Sequence, residues 1–187
     1  STPEAASHYL TYPRLKAEGT VKSGKSASLV KGEAWMDHEF SSSQLDEGQV
    51  GWDWAALQLQ DGREIMVYRM RRENGSSDAA STFSIVNREG GLDQRSRDAF
   101  QWVALSQWRS PRTQALYPNH VRIASNGEAF ELRPLANDQE HGGNLTGLPY
   151  WEGACDVLDP QGKIIGRAFL ELAGYAGDLR RYLQGVK

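Results

Sequence analysis

Two short stretches concentrate the residues able to do acid–base or cation-stabilising chemistry: Trp35-Met36-Asp37-His38-Glu39-Phe40 and, after a Ser-rich turn, Gly51-Trp52-Asp53-Trp54. Extended strands alternate their side chains, so Trp35, Asp37 and Glu39 share one face, while Met36, His38 and Phe40 share the other. A carboxyl set against an indole is costly to ionise unless it is paired. Such a group keeps its proton near neutral pH and can serve as a general acid. The competing reading is an ion-pair ladder with Arg or Lys from a neighbouring strand, which also perturbs carboxyls but does no chemistry.

Three later stretches repeat the pattern. Asn137-Asp138-Gln139-Glu140 sets two carboxyls beside amides, and Tyr150-Trp151-Glu152-Gly153 places an acid between an indole and a glycine. Phe169-Leu170-Glu171-Leu172-Ala173-Gly174-Tyr175 embeds a lone acid in an apolar run. Such an acid is either paired across the sheet or functional. Pairing of Glu171 with Arg69 or Arg71 is the favoured expectation, because barrels also tie their strands with internal ion pairs. For Trp102 and Trp151 the competing role is core packing.

Standard motifs are absent. There is no phosphate-cradling loop, no GxGxxG and no GxSxG elbow. His38, His120 and His141 lack the spacing of a zincin helix, so no metal site and no other cofactor is expected. Ser41, Ser42 and Ser43 read as turn residues unless geometry brings a histidine and an acid to them. The single cysteine, Cys155, excludes an intrachain disulfide and reads as a small buried apolar residue.

The elements that would position these side chains are strands. A chain of 187 residues suits one domain with a sizeable core. Its formal net charge of -3, with both signs interspersed, gives no footprint for nucleic acid or an anionic membrane. No apolar run reaches transmembrane length and no charged-then-apolar leader opens the chain. Residues 1–14 read as a linker or lead-in segment and 15–187 as the domain. Strands are expected at 15–21, 28–35, 52–60, 63–72, 82–87, 100–108, 121–124, 129–134, 150–158 and 164–172. The Asp61-Gly62 pair predicts a type I′ hairpin. Helix is expected only at 177–183. Strands and turns this evenly spaced suit an antiparallel barrel or sandwich.

In order along the chain, Gly32 to Ser43, Gly51-Trp52-Asp53-Trp54, Asp61 to Met66, Asp138-Gln139-Glu140, Tyr150-Trp151-Glu152-Gly153 and Leu170 to Tyr175 resemble the AttH/CrtC family. That family includes AttH components encoded with proposed ABC transport systems, predicted secreted hydrolases and carotenoid 1,2-hydratases (hydroxyneurosporene synthases). The resemblance implies an all-β, antiparallel lipocalin-like β-barrel with a short C-terminal helix. Family members pair two such halves, so an N-terminal lipocalin-like half is expected beyond this chain, and a ligand pocket would be shared with it. An extracytoplasmic location, periplasmic or secreted, is implied by resemblance alone. Where the usual pattern ends Thr-Gly-Tyr, this chain has Ala173-Gly174-Tyr175, which removes one hydroxyl.

Two function classes follow, with a third beside them. As a binding module, the barrel would hold an apolar small molecule or lipid. Its candidate contacts are Trp35, His38, Trp52, Trp54, Trp151 and Tyr150, together with Asp138, Glu140, Glu171 and Tyr175. As a hydratase, Asp37 or Glu39 would protonate an alkene, aromatic faces would stabilise the cation, and water held by Glu152 would add to it. Third, the domain could serve an ABC transporter permease as an accessory. Asp37 or Glu39 is expected to be buried against an arginine of residues 69–72 or against residues 138–140. The chain without its other half is expected to lack turnover of an apolar substrate.

Overall fold

The computed structural model describes residues 7–41, 45–142 and 148–180. Its strands are β1 (Ser7–Ser23), β2 (Ser26–Ser41), β3 (Gln49–Leu59), β4 (Glu64–Arg72), β5 (Thr82–Val86), β6 (Leu92–Ser96), β7 (Phe100–Arg109), β8 (Leu116–Ser125), β9 (Glu128–Pro134), β10 (Glu140–His141), β11 (Tyr150–Leu158) and β12 (Ile164–Leu172), with one 3-10 turn at Arg97–Ala99. All pairings are antiparallel. The expected helix at 177–183 does not begin at Gly177: residues 177 and 178 are not helical, Leu179 and Arg180 are, and 181–183 lie outside the described residues.

Two bodies of sheet result. β1 and β2 pair only with each other, as a long ribbon that includes residues 7–14, the expected lead-in. The other ten strands form one sheet in the order β6-β5-β4-β3-β12-β11-β9-β8-β7, with β10 on β11, curled into a half-barrel. Alternation assigns the faces. On β3, Asp53, Ala55, Leu57 and Leu59 turn into the curl, while Trp52, Trp54, Ala56 and Gln58 turn out. Inside, Phe83, Tyr117, Trp151, Leu170 and Leu172 are fully buried in one apolar cluster. At roughly 1.5–3 kcal/mol for each such side chain, this packing holds the curl closed. The inside is thus a core, and the concave surfaces available to a ligand lie outside it.

The hairpin at Asp61-Gly62 corrects the expected turn type. Only Gly62 has positive φ (86°), and Leu59 N–H bonds Arg63 C=O at 2.9 Å across a three-residue loop, a type I turn with a glycine bulge. Type I′ geometry falls instead at Asn126-Gly127, where φ is 50° and 82° between partners Ser125 and Glu128.

The ribbon leans on the outer face of the half-barrel. Arg14 pairs with the buried carboxyl of Glu64 and with Glu33, and donates to Leu59 C=O at 3.3 Å. Gln58 Nε2 donates to Pro13 C=O at 2.6 Å, next to the register shift between Tyr12 and Leu15. Trp35 meets Trp54 edge-on, ring centres 6.2 Å apart.

Candidate functional site: an aromatic, acidic groove outside the half-barrel

Between ribbon and sheet lie two adjoining grooves of about 540 and 950 Å³, which share Tyr9, Trp35, Trp54, Glu152 and Glu171. The ribbon contributes Trp35, Asp37 and Glu39 from a single face of β2, as alternation requires. The sheet contributes outward positions: Trp52 and Trp54 from β3, Met66, Tyr68 and Met70 from β4, Tyr150 and Glu152 from β11, and Glu171 from β12.

Glu171 is the most perturbed carboxyl here. Trp52 Nε1 donates to it at 2.9 Å, and its direct strand partners are Glu152 and Trp54. Burial, aided by the nearby charges of Glu152, Glu39 and Asp37 and opposed by the indole hydrogen bond, pushes its pKa up to about 7. The expected pairing with Arg69 or Arg71 does not occur. Those arginines point into the curl, where Arg69 (2.7 Å) and Arg71 (3.1 Å) both hold fully buried Asp53, with Tyr175 donating to it at 2.8 Å. Opposite strand faces keep the cations from Glu171.

Asp37 also departs from expectation. It is half-buried and accepts from Tyr9 (2.6 Å), Thr11 (2.8 Å) and the indole N–H of Trp35 (2.8 Å), with neither an arginine nor the 138–140 segment among its partners in the described residues. Burial first, then the hydrogen bond to Asp37, raises Tyr9 well above the usual phenol range; burial does the same to Tyr68. Both phenols stay protonated, and Tyr9 donates to Asp37. Glu39 lines the larger groove but is exposed. Trp54 is 8 % exposed, and its Nε1 has no hydrogen-bond partner, an orphaned donor of the kind that costs about 1–3 kcal/mol to bury.

The other anticipated residues lie elsewhere. His38 is on the far, exposed side of the ribbon against Phe40, ring centres 4.3 Å apart. Trp151 is core, its N–H donated to Asn137 C=O at 2.7 Å. Tyr175 packs against the core under Arg71, 3.8 Å from guanidinium carbon to ring centre. Asp138 is exposed and pairs with Arg112. Glu140 is buried; burial would raise its pKa, but hydrogen bonds from Ser110, Thr113 and Tyr117 and the charge of Arg112 prevail and hold it below the usual range. Glu140 ties a loop and does not reach the groove lining.

Sequence reading missed Tyr9 and Tyr68. For Tyr68 the signal was present, in the Met66, Tyr68, Met70 alternation. A Ser-His-acid chain does exist, but not at residues 41–43, of which 42 and 43 lie outside the described residues. Ser106 Oγ is 3.4 Å from His120 Nδ1, and His120 Nε2 is 2.9 Å from Glu131, on the outer face of β7–β9 away from the grooves. Burial pushes the Cys155 thiol up to about 12, as suits a core residue. Among the described residues no three His, Cys, Asp or Glu are grouped to hold a metal, and no helix is long and apolar enough to cross a membrane.

Known structures share this architecture. A candidate AttH of Nitrosomonas europaea is 32 % identical with a TM-score of 0.85, over 94 % of this chain and 54 % of its own. Kievitone hydratase of Nectria haematococca is 15 % identical with a TM-score of 0.69, over 91 % of this chain and 53 % of its own, a likeness of fold alone. The chain thus spans about half the length of these solved structures. No curated protein matches it. The fold is all-β and lipocalin-like. The AttH-like family model matches residues 1–175, and the chain belongs to that family.

Proposed function

We propose that this domain binds an apolar small molecule in the groove between the ribbon and the outer face of the half-barrel. The observation that carries the reading is Glu171: a partly buried carboxyl, bonded among the described residues by an indole and not by a cation, set among Trp35, Trp52 and Trp54 in a concavity of ligand size. A test is isothermal titration of the neutral apolar dye Nile red, with Trp54→Ala and the exposed-face control Ser106→Ala. Binding lost in the first and kept in the second supports the reading; equal binding in all three sinks it.

A second reading, addition of water to an alkene, is favoured by the raised pKa of the same carboxyl. Glu171 would give its proton to one alkene carbon, and the positive charge left on the other would face the indoles. Water would then add there while Glu152 takes its proton. This assigns the acid to Glu171 in place of Asp37 or Glu39. A hydratase shares the fold, which agrees with the reading but does not carry it. The far side of the ribbon exposes Leu10, Tyr12, Met36 and Phe40, a surface suited to a further domain of the kind that relatives of twice this length could supply. Turnover by this chain is expected only when that surface is covered, and activity of the uncovered chain on an apolar alkene, equal to that of a two-domain protein, would contradict it.

A further inference from the structure

We propose that the groove selects an apolar organic cation, a quaternary ammonium or phosphonium or a protonated amine on an apolar body, over neutral or anionic molecules of the same shape. This rests on the reading that the groove is the ligand site and adds the charge of what it takes.

The first ground is the charge inventory. Among the described residues, the larger groove is lined by five carboxyl residues, Glu39, Asp46, Glu64, Glu152 and Glu171, and by no lysine, arginine or histidine. Arg14 answers Glu64. On the smaller groove Arg167 is directed to Asp156 and not to the acids of the shared wall. The second ground is what the central acids bond. Glu171 accepts from an indole, and Asp37 from two hydroxyls and an indole; every one of these donors is neutral. Among the described residues, the carboxyls of Glu171 and Asp37 therefore meet no fixed counter-charge there. The third ground is the wall. Trp35, Trp52, Trp54, Tyr9, Tyr68 and Tyr150 line the same space, and aromatic faces attract cations through their quadrupole.

Each feature has a separate role elsewhere in proteins; their coincidence is what discriminates. Apolar binding alone needs the aromatic wall and no acids. Proton donation needs one carboxyl with a raised pKa and is hindered by surplus negative charge only in that it holds the proton more tightly. A standing cation uses all three features, because it replaces the missing counter-charge and desolvates against ring faces. The same inventory disfavours fatty-acid carboxylates and lipid phosphates, which would bring like charge against Glu152 and Glu171 in a partly water-excluded site.

The test uses the chain as described and three probes of similar bulk: tetraphenylphosphonium, its anionic counterpart tetraphenylborate, and neutral triphenylphosphine oxide, each titrated calorimetrically at pH 8. The phosphonium is expected to bind about a hundredfold more tightly than the borate, with the oxide between them. Glu152→Gln is expected to weaken the phosphonium about tenfold while leaving the oxide within about twofold. Thermal melts check that each variant folds. A borate that binds as tightly as the phosphonium, or a phosphonium indifferent to Glu152→Gln, overturns the charge preference. If the oxide still loses binding in Trp54→Ala, the groove stands as a ligand site and only its preference for cations is wrong. If no probe responds to Trp54→Ala, the site reading and this inference fail together.

Discussion

Glu152 and Glu171 stand directly opposite each other on β11 and β12, side chains on the same outer face, with no arginine between them. Like charges in that relation destabilise a sheet. Asp53, on the strand beyond, has the reverse arrangement, with two arginines and a tyrosine around one carboxylate. The two acids differ because residues 53, 69 and 71 turn inward and residue 171 turns outward.

Glu171 makes stability depend on pH. Its folded pKa of about 7 lies above the usual carboxyl value of 4.5, so the folded state holds the proton more tightly than the unfolded chain does. The contribution is therefore present in full below the unfolded pKa and is lost as pH rises through about 7. Glu39 and Asp37 on β2 and Glu152 on β11 face this carboxyl, and Tyr68 on β4 feels its charge. Glu171→Gln should flatten the stability profile between pH 5 and 8 and raise stability at pH 8, on the order of 2–3 kcal/mol. Urea denaturation at several pH values measures this, and an unchanged slope would contradict it.

Asp53→Ala should have the opposite consequence. It leaves Arg69 and Arg71 partly buried without their carboxylate, and removing one partner of a buried pair costs about 3–5 kcal/mol. A thermal melt should fall by many degrees.

Gly62→Val tests the β3–β4 hairpin. With φ of 86° and Arg88 beside the position, a β-branched residue is strained there, at a cost of about 1–3 kcal/mol. Asp61→Asn should be nearly neutral in the same denaturation experiment.

Arg14→Ala should free the ribbon while sparing the half-barrel. It strands buried Glu64 and removes the bond to Leu59 C=O, a loss of about 1–3 kcal/mol of docking free energy. Amide exchange in β1 and β2 is expected to quicken, with β11 and β12 unchanged. Adding Glu64→Gln should recover part of the loss.

Legibility in the sequence followed exposure. β11 and β12 were read end to end at 150–158 and 164–172, because one side of each meets the core and turn residues bound both. β1 and β2 were cut short at both ends, since a ribbon with water on its far side needs no apolar alternation to mark it. β6, Leu-Asp-Gln-Arg-Ser, was missed for the same reason. Alternation within a strand placed Trp35, Asp37 and Glu39 together. It could not say which face of β12 meets which face of β4, and that unknown register put Glu171 with arginines on the other side of the sheet.

The alternation on β3, β4 and β12 has a bearing on how this molecule can change over generations. Ala55, Leu57, Ile65, Val67, Leu170 and Leu172 maintain the fold from one set of positions, while Trp54, Met66, Tyr68 and Glu171 shape the groove from the intervening set. Substitutions at the second set alter what is bound with little call on the packing of the first. Ligand preference in such a scaffold can drift residue by residue along strands whose framework stays fixed, so two members of one family can share a barrel closely and still take unlike molecules.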